Sequence, residues 1–89
     1  MRNPLRTSRF KKDVELARNR GKDLVKLRDV MEKLVAEERL DANYRDHPFM
    51  GNYIGRRECH IESDWLLIYK LDSADIIFER TGTHSDLFR

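Results

Sequence analysis

The segment from Trp65 to Leu71 is apolar on both sets of alternating side chains, which constrains the fold more than any other feature of the sequence. Successive side chains of a β-strand point to opposite faces, so this pattern predicts a central strand that is covered on both faces. The segment Tyr53–Glu62 alternates and predicts a neighbouring strand, with Cys59 and His60 on opposite faces. A turn at Asp72–Asp75 then leads into a third predicted strand at Ile76–Thr81.

The first half of the chain predicts two helices. Thr7 or Ser8 can cap a helix whose apolar residues recur at helical spacing to about Arg20, and Gly21 ends it. The second helix is predicted from about residue 23 to residue 37. Its expected apolar face consists of Leu24, Leu27, Met31, Leu34 and Val35. Two helices joined at a glycine indicate an antiparallel hairpin.

The order of these elements predicts an α+β fold. A short segment around Asn3–Thr7 is expected to form an edge strand, and Thr83–Phe88 a short turn or helical stub. The order β-α-α-β-β-β then predicts a small antiparallel sheet with the N-terminal helix hairpin packed on one face. From Leu40 to about Asn52 no periodicity holds, and so long a loop in a small domain indicates a functional or mobile segment.

The 89 residues predict a single domain, residues 1–89, with a small core. The lone Cys59 cannot close an internal disulfide, and neither a secretory leader nor an apolar run of about 18 residues is present, so we expect a reducing, cytoplasmic location and no membrane.

The charge is distributed unevenly along the chain: residues 1–39 hold 12 Lys and Arg against 7 Asp and Glu, whereas residues 40–89 hold 6 against 9. A basic half can bind a phosphate backbone, although solvated helix faces would show the same pattern.

The side chains that suit catalysis are concentrated in the second half. All three histidines lie there, and imidazole exchanges protons near neutral pH. The predicted strands place several chemically active residues at one edge of the sheet, where the loop can fold His47 over them. The expected catalytic set is His47, His60, Asp64, Arg80 and His84.

This set satisfies the needs of RNA cleavage without a metal ion. A base must deprotonate the 2′-hydroxyl, a cation must stabilise the phosphate, and an acid must protonate the departing 5′-oxygen. Arg80 suits the cationic role, although a salt bridge with Glu58 or Glu79 would explain it equally well. No metal or other cofactor is expected, because Cys59 and His60 point to opposite faces and no H-x₃-H or C-x₂-C spacing occurs.

Two aromatic residues have alternative interpretations. Trp65 opens an apolar strand and is a core residue by default, but it could also form a wall of the site or a platform for a base. Phe88 can anchor the end of the chain by packing, or it can stack on an unpaired base.

Three blocks of sequence resemble the YafQ family of toxins, within the RelE/ParE superfamily of bacterial type II toxin–antitoxin systems. They are Tyr44-Arg-Asp-His-Pro-Phe-Met-Gly51, Arg57-Glu-Cys-His-Ile-Glu-Ser-Asp-Trp-Leu-Leu-Ile-Tyr-Lys70 and Phe78-Glu-Arg-Thr-Gly-Thr-His-Ser-Asp-Leu-Phe88. Lys11-Lys-Asp-Val-Glu-Leu-Ala17 also resembles the first helix of that family.

The resemblance implies a RelE-like fold and a ribosome-dependent mRNA endonuclease that cuts codons in the decoding site, with a preference for lysine AAA codons. Its active-site positions would be the five catalytic candidates together with Trp65, Phe88 and Glu58 as substrate contacts. The basic helices would face ribosomal RNA through Lys11, Lys12, Arg18, Arg20 and Lys22. The implied partner is a ribbon-helix-helix antitoxin that forms a heterotetramer with the toxin and binds operator DNA.

Within this reaction we expect His84 to be the acid and Arg80 to stabilise the phosphate. Asp64 is our choice of base, provided that its pKa is raised; His47 and His60 are the alternatives, and Asp64 would then orient His60. A ParE-like toxin directed at gyrase would share the fold without needing the histidines. A third hypothesis is a non-enzymatic module that binds the ribosome or RNA through its basic helices.

Overall fold

The structure is a computed structural model that describes residues 1–48 and 55–88. A short 3-10 turn at Ala42–Tyr44 precedes the second strand. The helices and strands of the described residues follow the order β1 (Asn3–Arg6), α1 (Ser8–Asn19), α2 (Leu24–Val35), β2 (His47–Pro48), β3 (Arg56–Glu62), β4 (Trp65–Asp72), β5 (Asp75–Gly82) and α3 (His84–Leu87).

The strands form one sheet in the order β1-β5-β4-β3-β2. The predicted central strand, β4, lies between β3 and β5 and is antiparallel to both. The sheet is mixed rather than wholly antiparallel, because β1 pairs with β5 in parallel, with Asn3 opposite Asp75 and Arg6 opposite Phe78. Parallel neighbours need a long crossover between them, and here nearly the whole chain supplies it.

Local capping explains where the two long helices begin. The Thr7 side chain accepts a hydrogen bond from the Phe10 N–H (3.0 Å), and the Asp23 side chain accepts one from the Val25 N–H (3.0 Å). Both residues therefore satisfy backbone donors that the first turn of a helix leaves free. Gly21 adopts a positive φ of 78°, which glycine tolerates without strain, and it separates the helices as predicted.

The core lies between the helices and one face of the sheet. It includes Phe10 and Ala17 of α1, Val30 of α2, and Cys59 and Phe78 of the strands. Burial raises the pKa of the Cys59 thiol. The predicted α+β fold with the helix pair on one face of the sheet is thus confirmed.

The opposite face of β4 is also covered. Leu66 is fully buried and Ile68 nearly so, although neither belongs to the cluster that packs against the helices. Leu66 lies opposite His60 on β3 and Gly82 on β5. An apolar floor therefore lies beneath the candidate catalytic side chains.

The second strand is an addition to the predicted elements. His47 and Pro48 pair with Glu58 and Arg57 at the outer edge of β3, within the segment expected to be a loop. The predicted strand at 53–62 is observed from Arg56 onward, while its positions 53 and 54, and positions 49–52 of the loop, lie outside the described residues. Among the helices of the described residues, none is long and apolar enough to cross a membrane.

Candidate active site

The sheet register brings candidate residues together on the face away from the long helices. His47 lies opposite Glu58 on the neighbouring strand. Two positions further along β3, His60 lies opposite Leu66. Because residues two apart on a strand share a face, Glu58 and His60 are neighbours above the apolar floor. Cys59 between them points into the core, where it is fully buried.

Asp64 and His84 form the most closely bonded pair of this set. The Asp64 Oδ1 atom accepts a hydrogen bond from the His84 backbone N–H (2.9 Å) and lies 2.6 Å from the His84 Nδ1 atom. These backbone and side-chain hydrogen bonds hold the pKa of Asp64 below its usual value. An ionised carboxylate can only accept, so Nδ1 carries the proton and the second ring nitrogen, Nε2, faces away from Asp64.

His84 has two further ring neighbours. The centroids of the His60 and His84 rings are 6.0 Å apart, and those of His84 and Phe88 are 6.1 Å apart. Phe88 is 46% exposed, so its ring is accessible beside the histidine. His60 forms no hydrogen bond with another described residue, and its Nδ1 atom is buried without a partner. Within residues 1–48 and 55–88, this imidazole is therefore held by packing.

His47 reaches the same cluster from β2. Its Nε2 atom lies 3.2 Å from Glu58 Oε1, and its Nδ1 atom lies 2.9 Å from the Pro48 carbonyl oxygen. Ligand-type atoms of His47, Glu58 and His60 all lie within 4.8 Å of one another. Cys59 lies in the core and His60 on the other face of the strand, as predicted; Glu58 was not among the ligands considered from the sequence.

Arg80 is held by Asp13 of α1. The Arg80 Nε and Nη2 atoms donate to the two Asp13 carboxylate oxygens (2.7 and 3.3 Å). The Thr81 backbone N–H donates to the same carboxylate (3.1 Å). The salt-bridge partners considered for Arg80 were wrong, because Glu58 pairs with His47 and Glu79 pairs with Arg56.

Trp65 is a core residue in this structure. Its side chain is only 1% exposed, and its indole N–H donates to the Thr81 hydroxyl (2.9 Å). That hydroxyl in turn donates to the Leu66 carbonyl (2.7 Å). The implied contact between Trp65 and substrate is therefore not available in this conformation, because no face of the ring is open.

Side-chain hydrogen bonds fix α3, the helix that carries His84. The Thr83 and Asp86 side chains each accept from the other residue's backbone N–H, which forms a capping box. Arg20 donates to both Asp86 carboxylate oxygens (2.7 and 3.2 Å) and so ties α3 to the end of α1. Sequence reasoning missed Asp86 and Asp13; the Thr-x-x-Asp spacing was a visible signal for Asp86.

The predicted ribosomal RNA contacts divide into two groups. Arg18 pairs with Glu15 (2.6 Å), Arg20 with Asp86, and Lys22 with Glu62 (3.4 Å), where it also lies 5.7 Å from the centre of the Trp65 ring. Lys11 and Lys12 are exposed and form no ion pair with another described residue. These two lysines are the most available of the five for an external phosphate.

A cleft beside His60 adds basic groups that the sequence did not single out. Its volume is about 530 Å³. The cations along it come from α2 and from the turn before β2, and Tyr44 lies among them. The basic lining residues are Lys26, Lys33 and Arg45.

Comparison with known proteins gives one consistent family. The family described as the bacterial toxin YafQ of type II toxin–antitoxin systems matches residues 2–89. The mRNA interferase toxin YafQ of Escherichia coli K12 is 47% identical over 83 residues, which cover 92% of this chain and 90% of that protein. The putative toxin YafQ of Haemophilus influenzae is 40% identical over 50 residues, 52% of this chain and 49% of that protein.

Solved structures agree with the family match. The toxin in the E. coli DinJ–YafQ complex superimposes with a TM-score of 0.94 at 44% identity, over the full length of both chains. A metal-bound toxin from Helicobacter pylori superimposes with a TM-score of 0.93 at 34% identity, over 99% of this chain and 100% of that one. The resemblance seen in the sequence is confirmed, and this chain belongs to the YafQ family of toxins of bacterial type II toxin–antitoxin systems.

Proposed function

We propose that this chain is a ribosome-dependent endoribonuclease that cuts mRNA in the decoding site, preferentially at lysine AAA codons, without a metal ion. The observation that carries the proposal is the hydrogen-bonded Asp64–His84 pair, which lies beside His60 and the exposed Phe88. The E. coli relative is named an mRNA interferase, which supports RNA as the substrate. The codon preference rests on the family resemblance.

His84 serves as the general acid in this proposal. Asp64 accepts from its Nδ1 and backbone N–H, and thereby fixes both the tautomer and the direction of the ring. The Nε2 atom then carries the proton that the departing 5′-oxygen receives. Asp64 itself is a poor base, since its pKa is lowered whereas a catalytic carboxylate would need a raised one. We therefore assign Asp64 to positioning His84.

His60 is the base in our revised assignment. Neither of its ring nitrogens bonds another described residue, whereas both nitrogens of His47 have neighbours. A base needs a free lone pair, and imidazole is the side chain that accepts protons near neutral pH. His60 removes the 2′-hydroxyl proton, the 2′-oxygen attacks phosphorus, and the protonated 5′-oxygen leaves. The products are a 2′,3′-cyclic phosphate and a 5′-hydroxyl.

Arg80 supplies positive charge to the phosphate. Its two bonds to Asp13 use Nε and Nη2, so neither of them engages Nη1. A guanidinium held in this way presents the remaining N–H groups in a fixed direction, which lowers the cost of binding a phosphate oxygen. Asp13 thus positions Arg80 in the same sense that Asp64 positions His84.

The RNA strand follows charged and aromatic surfaces around this cluster. Phe88 stacks on an unpaired base next to the cleaved bond, and Lys33 and Arg45 of the cleft beside His60 hold the adjoining phosphates. Lys11 and Lys12 extend the basic surface to ribosomal RNA. A cognate antitoxin, by analogy with DinJ in the E. coli complex, covers the site and binds operator DNA as part of a heterotetramer in the cytoplasm.

The decisive experiment replaces the proposed acid. His84→Ala should abolish codon cleavage in a translation extract while the variant still sediments with ribosomes, because the substitution removes a proton donor at an exposed position. Asp64→Asn is the matched variant: it keeps an oxygen acceptor but loses the charge, and should reduce cleavage partially. Mapping the 5′ ends of the cut message locates the codons. Cleavage by His84→Ala at the wild-type rate would refute the assignment.

The same preparation separates the alternative activities. A ParE-like toxin would inhibit DNA supercoiling by gyrase and leave the message intact. A non-enzymatic module would keep its biological effect in a His47/His60/His84 triple alanine variant. Our proposal predicts that supercoiling is unaffected and that the triple variant is harmless to growing cells.

A further inference from the structure

We propose that Asp46 is a positioning residue that fixes the catalytic candidate His47 from the opposite face of the sheet. The Asp46 Oδ1 atom accepts hydrogen bonds from the Tyr69 hydroxyl (2.5 Å) and from the Arg57 Nε–H (3.3 Å). The same Nε–H also donates to the Tyr69 oxygen (3.3 Å), so the three side chains form a closed cluster. This cluster of Asp46, Arg57 and Tyr69 is called the β2 anchor below.

The β2 anchor lies on the side of the sheet that faces the helices. Tyr69 belongs to the core, where it is only 1% exposed, and Arg57 lies opposite it in the register of β3 and β4. Asp46 immediately precedes His47, whose side chain meets Glu58 on the other side of the sheet. Neighbouring residues of an extended chain point to opposite faces. One short segment therefore presents the carboxylate to the anchor and the imidazole to the candidate active site.

Within the part of the chain that the structure describes, few other interactions hold β2. The strand consists of two residues, and it pairs with two residues of β3. Arg45, just before Asp46, adopts a positive φ of 48°, which is unfavourable for residues other than glycine. Tyr44 packs against the core, but it precedes this turn. On the N-terminal side of His47, the Asp46 side chain is therefore the nearest point of attachment to the sheet.

The hydrogen bonds of the β2 anchor hold the carboxylate firmly. Asp46 and Arg57 carry opposite charges, and their side chains are only 23% and 31% exposed, so water and salt screen their attraction less than at an open surface. Burial and the hydrogen bond to Asp46 raise the pKa of Tyr69, so its hydroxyl stays protonated and donates. Hydrogen bonds to a charged carboxylate are stronger than those between neutral groups. Two neighbouring strands, β3 and β4, thus fix the segment that enters β2.

The position of His47 matters for the reaction, and this step rests on the proposed function. Polar side-chain atoms of His47, Glu58 and His60 lie within 4.8 Å of one another, and His60 is the proposed base. His47 and Glu58 therefore form one side of the surroundings of the base. Without the Asp46 carboxylate, β2 can shift and this side opens. Loss of the anchor should slow the chemical step and leave ribosome binding, which is assigned to the basic helices, unchanged.

Nuclear magnetic resonance of the histidine rings tests the positioning role without reference to activity. Asp46→Ala and Tyr69→Phe should each shift or broaden the His47 ring signals, because β2 loses its anchor. The His84 signals should stay in place, because Asp64 holds that ring independently. Tyr69→Phe removes a single oxygen atom, so it provides the test if Asp46→Ala does not fold. Unchanged His47 signals in a folded variant would overturn the positioning role.

Single-turnover cleavage of a ribosome-bound message tests the consequence. Asp46→Ala and Tyr69→Phe should lower the cleavage rate by about fivefold or more and leave the apparent ribosome affinity within about twofold of the wild type. Asp46→Asn keeps an oxygen acceptor for the Tyr69 hydroxyl, so it should retain more activity than Asp46→Ala. In a His47→Ala background, Asp46→Ala should add less than about a twofold loss, because Asp46 acts through His47.

Two control variants separate positioning from loss of stability or charge. Ile76→Val shortens a buried side chain of β5, which lies three places from β2 in the sheet. Asp72→Asn removes an exposed carboxylate at the end of β4. Both variants should cleave at the wild-type rate, and urea unfolding measures how far each is destabilised.

Two kinetic results would contradict the inference. One is an equal loss of cleavage in Ile76→Val at matched stability, and the other is a full additional loss from Asp46→Ala in the His47→Ala background. The proposed function fails separately if the wild type cuts no message. In that case the ring signals still decide whether Asp46 positions His47.

Discussion

Replacement of Trp65 by Phe distinguishes a core residue from a substrate contact. The change removes the indole N–H that donates to the buried Thr81 hydroxyl. The hydroxyl still donates to the Leu66 carbonyl, but its oxygen loses the indole donor, and a buried acceptor left unsatisfied costs about 1–3 kcal/mol. The smaller ring leaves unfilled volume worth roughly 1–2 kcal/mol. We expect the free energy of unfolding to fall by about 2–5 kcal/mol.

The assay is urea and thermal unfolding followed by circular dichroism, together with cleavage measured where the variant is still folded. For a domain of this size the loss lowers Tm by about 8 °C or more. Thr81→Val is the matched variant, since it removes the acceptor and keeps the indole. A double-mutant cycle should give a coupling energy of about 0.5–3 kcal/mol. Unchanged stability of Trp65→Phe with loss of cleavage would refute the structural role and favour a direct contact with RNA.

Four further predictions concern the cap of α3 and its pH dependence, the basic face and the cysteine. Asp86→Ala should cost about 0.5–2 kcal/mol of stability and slow cleavage, because Asp86 caps the turn that carries His84. The hydrogen bonds to Asp86 lower its pKa, so the charged carboxylate stabilises the fold fully above its ordinary pKa of 3.8, and this stabilisation is lost as pH falls. The free energy of unfolding should therefore depend less on pH between about pH 4 and pH 2 in Asp86→Asn than in the wild type. Equal pH dependence in the two proteins would contradict this. Replacing Lys11 and Lys12 with Ala should weaken ribosome binding and reduce its salt dependence, whereas Arg18→Ala, whose arginine is paired with Glu15, should change both less. Iodoacetamide should leave Cys59 unmodified in the folded chain and alkylate it after unfolding, as mass spectrometry would show.

The fold could be predicted well where it depends on local patterns. A segment that is apolar on both faces identified the central strand, and Thr7 and Gly21 marked the limits of the first helix. The parallel pairing of β1 with β5 was missed, because nothing in either segment specifies a partner so distant in the chain. On α2 the predicted face omitted Val30, which is only 1% exposed. Its position at the centre of the face follows from how α2 is rotated against the sheet.

Part of the candidate site could also be predicted from local patterns, and part of it could not. The neighbourhood of Asp64 and His84 could be predicted because a tight turn and a strand end meet at one edge of the sheet. The Arg80–Asp13 pair joins positions 67 apart and depends on where α1 lies over the sheet. Residue type alone also could not give the direction of the Asp64 pKa shift, which is set by the donors that surround the carboxylate in the folded chain.

The pairing of β1 with β5 has a consequence for how the chain folds. Asn3 and Asp75 are direct neighbours in the sheet, and the Thr7 N–H donates to the Phe78 carbonyl (3.2 Å). Contacts of such high sequence separation carry a large loop-closure entropy and slow folding. During synthesis, β1 must wait unpaired until residues 75–78 have left the ribosomal exit tunnel. The sheet that supports the candidate active site is therefore completed only after residues 75–78 have been translated.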